Sequence, residues 1–120
     1  MWHPEVTDEC AFDPECSMNW AVQRIKDGYI DEWQVCNCYS YTRSFFDIKT
    51  FPKMTEIQPN SKPVAGGVAI FTYKGKRHIA YIKSVKGGVL SLLEANYTPC
   101  SVSPREVSVD DKAYMGTWVP

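Results

Sequence analysis

The sequence predicts an α+β fold in which N-terminal helices pack on a C-terminal antiparallel β-sheet. Three observations carry this. The first half spaces its apolar residues every three or four positions, the second half consists of short β-branched and aromatic runs, and glycine-containing turns separate those runs. With 120 residues and 44% hydrophobic side chains, the chain has the size and apolar content of one domain. Residues 1–120 are therefore read as one unit, a helical approach over 1–35 followed by a core over 36–120.

Ser17 is placed to cap a helix whose apolar side runs Met18, Ala21, Val22 and Ile25. Gly28 is placed to end it, since glycine adopts the left-handed conformation of many helix termini. Asn37, a favoured N-cap, opens a second helix through Phe46, with Cys38, Thr42 and Phe45 on one side. Pro52, Pro59, Pro63 and Gly66 make residues 50–66 an irregular connection. Val68–Tyr73, His78–Ile82 and Val89–Leu93 then read as an antiparallel meander, and a last strand runs from Tyr114 to Val119.

Thirteen basic and 14 acidic side chains leave a formal charge of -1, so no long-range field favours nucleic acid or anionic lipid. No stretch approaches the about 18 apolar residues of a spanning helix, and membrane insertion is not expected. The opening Met1-Trp2-His3-Pro4-Glu5 lacks the basic patch and apolar run of a secretory signal. Cysteines stand at 10, 16, 36, 38 and 100; if Cys38 stays a free thiol, the other four allow two bridges in three pairings. C-x5-C and C-x-C spacings with two histidines do not suit zinc. Asp8, Glu9, Asp13 and Glu15 lack the alternation of a calcium loop, so no metal or cofactor is assigned.

A cysteine in the first turn of a helix has its thiolate stabilised by the unpaired amides there, which singles out Cys38. Cys36 would lie before the cap and suits structure better. Cysteine alone is more often a small buried hydrophobe, and a lone histidine an ordinary strand-end residue. What raises His78 is the returning strand, where Glu94 and Asn96 share one face and either could orient the imidazole. A two-residue turn at Gly87–Gly88 would put His78 on the opposite face from both. The catalytic reading therefore demands a three-residue loop of Lys86, Gly87 and Gly88, or a compensating bulge, so that all three side chains face the Cys38 helix.

These segments resemble, in order, the signatures of the CHAP domain, the cysteine- and histidine-dependent amidohydrolases/peptidases. They are Asn37-Cys38-Tyr39-Ser40-Tyr41-Thr42-Arg43, Pro63-Val64-Ala65-Gly66-Gly67-Val68-Ala69-Ile70-Phe71, His78-Ile79-Ala80-Tyr81-Ile82 and Glu94-Ala95-Asn96, followed by a closing strand at Tyr114–Trp118. The resemblance spans residues 34–120 and implies a papain-like fold. It implies Cys38 as nucleophile, His78 as base, Glu94 as orienting residue and Asn96 as a further polar member of the site. Gly67 departs from the aspartate common in the family, and Arg77 from a glycine before the histidine.

The activity implied is hydrolysis of an amide in bacterial peptidoglycan, by an amidase or endopeptidase working through an acyl-enzyme. The Cys38 amide, with Asn37 or Gln34, would bind the oxyanion, and Trp33, Tyr39 and Tyr41 could line a substrate groove. The rivals are an inactive CHAP-like wall-binding or virion component and a protease acting on proteins. The absent signal suits a phage-encoded or otherwise delivered product, carried within a larger virion or secretion assembly.

Overall fold

The β-branched and aromatic runs of the second half become strands of one antiparallel sheet. In the computed structural model, which describes residues 25–28, 31–97 and 99–120, these are β1 (Val68–Tyr73), β2 (Lys76–Lys86), β3 (Val89–Ala95), β4 (Val102–Ser108) and β5 (Tyr114–Trp118). Their order is β4-β3-β2-β1-β5, which makes β4 and β5 the edges. Helical structure among the described residues is slight: a 3-10 turn at Glu32–Cys36, a short helix α1 (Cys38–Arg43) and a 3-10 turn at Met54–Glu56. The fold is mixed and rich in sheet, and no helix among the described residues is long and apolar enough to cross a membrane.

The helix expected from Ser17 lies largely outside the described residues. Its end is visible: Ile25 and Lys26 are helical, and Gly28, at φ +80°, donates its N–H to the Ile25 carbonyl at 3.1 Å. The second helix begins where expected but stops at Arg43. There the Ser44 hydroxyl donates back to the Tyr41 carbonyl, a local bond that competes with helix continuation. Strand β4, over residues 102–108, is additional to the strands expected from the sequence. Pro104 within it lacks an N–H and is tolerated because an edge strand has one side without a ladder.

The β2–β3 hairpin turns on two residues, with Lys86 opposite Val89, rather than on the three-residue loop. Gly87 and Gly88 both take positive φ, as a tight hairpin turn requires. The bulge supplies the parity instead. Ser84 pairs with Ser91 but Ile82 with Leu92, so Lys83 is an extra residue on β2. Beyond it Tyr81 faces Leu93, and strand alternation brings His78 and Glu94 to one face.

Each face of the sheet carries its own core. On one, Val68, Ile70, Ile79 and Leu93 pack against Tyr41, Phe45 and Phe46 from α1 and its exit, with Phe51 and Ile57 from the connection. Phe45 stacks on Tyr81 with centroids 4.2 Å apart, and each such buried side chain contributes about 1.5–3 kcal/mol. On the other face Ala69, Phe71, Ala80, Ile82, Leu90, Leu92 and Val107 form a second cluster. Arg77 fastens the proline-rich connection to the sheet by donating to the carbonyls of Met54 and Ile57.

Candidate active site

Asn37 fixes the start of α1. Extended itself, it accepts the Ser40 N–H on its side-chain oxygen at 3.0 Å, and its carbonyl accepts the Tyr41 N–H at 3.0 Å. Cys38 is thereby the first helical residue, and it is the free thiol among the described cysteines. The β2–β3 ladder stops at Tyr81–Leu93, and α1 occupies the opening beyond. Both polar backbone groups of Ile79 meet it: the carbonyl accepts from the Thr42 hydroxyl at 3.5 Å, and the N–H is hydrogen-bonded to the Cys38 sulfur.

That opening resolves a conflict of faces. His78 alternates with Ile79, so its ring lies on the second-core face with Phe71 and Tyr73, whereas the body of α1 packs on the first. The expectation that the polar side chains face the helix is corrected accordingly. The sulfur still meets the ring: it is hydrogen-bonded to the Ile79 N–H and, side chain to side chain, to His78.

The His78 Nε2 lies 2.7 Å from Glu94 Oε1, which leaves Nδ1 for the sulfur. Glu94 is fully buried, and its other oxygen, Oε2, accepts from Arg105 Nε. Burial resists charge on Cys38, but the hydrogen bond from His78, the Ile79 N–H and the positive ring outweigh it and hold the thiol below its ordinary 9.0. Burial also opposes charge on the His78 ring, yet its hydrogen bonds to Cys38 and Glu94, with their negative charges, push it up to about 9. Both shifts favour a thiolate beside an imidazolium over the uncharged pair.

Asn96 is not brought into this cluster. It adopts φ +63°, and its side-chain oxygen accepts the Cys100 N–H at 2.9 Å, closing the β3–β4 connection. Gln34 also serves structure, accepting the Asp31 N–H and donating to the Ser40 carbonyl at 3.2 Å. Tyr41 lies in the core, and the Tyr39 hydroxyl donates to the Pro52 carbonyl at 2.7 Å. Trp33 is exposed beside a cleft of about 480 Å³ that also touches Gln34, Arg43 and Asp47 but neither Cys38 nor His78.

Sequence reasoning missed Arg105, whose strand Pro104 disguised; the alternation Ser103, Arg105, Val107 was the available signal. It also missed Tyr73 and Tyr97, whose rings lie 6.0 and 6.2 Å from His78. Cys36 and Cys100 form a disulfide; Cys10 and Cys16 lie outside the described residues. Among the described residues no group of three or more His, Cys, Asp and Glu side chains could hold a metal ion. A scan against family models and searches of curated proteins and of solved structures return no match.

Proposed function

We propose that this chain is a cysteine amidohydrolase of the CHAP kind, with papain-like packing of the nucleophile's helix against the strand of its base, cleaving an amide in bacterial peptidoglycan. One observation carries the chemistry: a free thiol at a helix start is hydrogen-bonded to a histidine whose other nitrogen meets a buried carboxylate. Nucleophile, base and orienter stand in sequence. The substrate class rests on the ordered motifs around Cys38, Gly66-Gly67, His78 and Glu94.

In the first step the thiolate attacks the amide carbonyl. The imidazolium gives its proton to the departing amine as the C–N bond breaks, leaving a thioester on Cys38. The now neutral ring takes a proton from water, the hydroxide adds to the thioester, and collapse releases the acid and restores the ion pair. Glu94 holds the ring in the required tautomer and favours its charged form throughout.

Purified bacterial cell walls test this directly. Turbidity should fall with the native chain and not with Cys38→Ala, and mass spectrometry of the products assigns the bond, glycan-to-peptide or within the peptide. Unchanged walls, with a Cys38 that nonetheless reacts fast with iodoacetamide, would return the chain to a non-lytic wall-binding or virion role.

A further inference from the structure

Glu94 is completely buried on the second-core face and meets two cations. One of them, His78, titrates; the other, Arg105, is permanently charged. The guanidinium grips both carboxylate oxygens, Nε on Oε2 and Nη2 on Oε1 at 3.3 Å, and Nη2 also donates to the Tyr73 hydroxyl at 2.8 Å. Tyr97 covers it, with Arg105 Cζ 4.0 Å from the ring centroid, and Phe71 lies at 5.2 Å. Such a fork, buttressed by three aromatic rings, fixes both the charge and the aim of the carboxylate.

We propose that Arg105 is a positioning residue that supplies the fourth charge of the site, so that thiolate, imidazolium, carboxylate and guanidinium sum to zero in the reactive form. The proposal rests on the reading of Cys38 and His78 as the reacting pair. Without Arg105 the reactive form carries one uncompensated negative charge in a largely buried place, which is costly. The site then sheds it by binding a proton at sulfur. Without Glu94 the excess is positive and favours the thiolate; without both, a balanced ion pair returns.

Among the described residues the surroundings add no competing charge. Tyr73 on β1 and Tyr97 on the β3–β4 connection set aromatic rings beside His78, and burial pushes the Tyr73 phenol up from its ordinary value. Arg77 on β2 turns away to the carbonyls of Met54 and Ile57, and Arg43 on α1 lies over the Tyr39 ring.

Alkylation of Cys38 by iodoacetamide, followed against pH and mapped by peptide mass spectrometry, reads the thiolate without any substrate. In the full chain, Arg105→Met should raise the midpoint by about one pH unit, which means about tenfold slower reaction at pH values below both midpoints. Glu94→Gln should lower it, the double variant should return near the native value, and Arg105→Lys, which keeps the charge, should stay near native. A native midpoint in a folded Arg105→Met chain overturns the proposal. Should that variant not fold, the double variant decides, since its midpoint must lie above that of Glu94→Gln; an equal or lower one overturns it. A native chain with an ordinary thiol midpoint would instead overturn the ion pair itself.

Discussion

His78 binds its proton more tightly in the folded chain than in an unfolded one, from an ordinary 6.5 up to about 9. Its contribution to stability is therefore complete below pH 6.5 and lost as pH rises through about 9. Cys38 has the opposite sign: its lowered pKa favours folding above 9.0 and that benefit is lost as pH falls through the folded value. The two contributions oppose each other from the folded Cys38 value up to about pH 9. Urea denaturation should thus find the native chain nearly flat across this window, while Cys38→Ser, which keeps Glu94 on the ring, loses stability as pH rises. An equally steep decline in both would mean that Cys38 is an ordinary thiol. Asn96 shows why residue spacing alone misleads at this scale: two-residue alternation placed it beside Glu94, but a left-handed backbone at φ +63° takes it out of the strand.

The elements depend on close approaches that a few glycines permit. A Cβ on Gly67 would lie 2.8 Å from Thr117 Cγ2 and 3.1 Å from the Val64 carbonyl, between the connection and β5. An aspartate has no room here, and Gly67→Asp should cost about 1–3 kcal/mol, seen as a lower denaturation midpoint. A variant of native stability would show that β5 is not held this tightly. The β2 bulge matters in the same way. Without Lys83 as the extra residue, the two-residue turn would set His78 and Glu94 on opposite faces. Arg77 holds the 50–66 connection instead of lining the site.

Across the whole molecule, Cys36–Cys100 closes a loop with a sequence separation of 64, joining the residue before the α1 cap to the β3–β4 connection. Such a link restricts the unfolded chain, and replacing both cysteines with serine should lower stability by about 2–4 kcal/mol. Neither sulfur belongs to the reacting cluster. The rate of Cys38 alkylation in the folded double variant should therefore stay within about tenfold of native. A collapse of that rate without unfolding would assign the bridge a part in shaping the site.

The sequence by itself determined the cap at Asn37, the place of Cys38 at the helix start, the four strands with alternating or β-branched patterns, and the demand that His78 and Glu94 share a face. These depend on neighbours in the chain or on the period of one strand. Only the tertiary structure decided that a bulge rather than a longer turn meets that demand, that Cys38 meets both His78 and the Ile79 backbone, and that Cys36 pairs with Cys100. It also brought Arg105 from an unrecognised edge strand onto Glu94. Apart from the bulge, each of these is a contact between segments distant in sequence, set by which strand lies beside which and where a ladder ends, and local spacing carries no record of either.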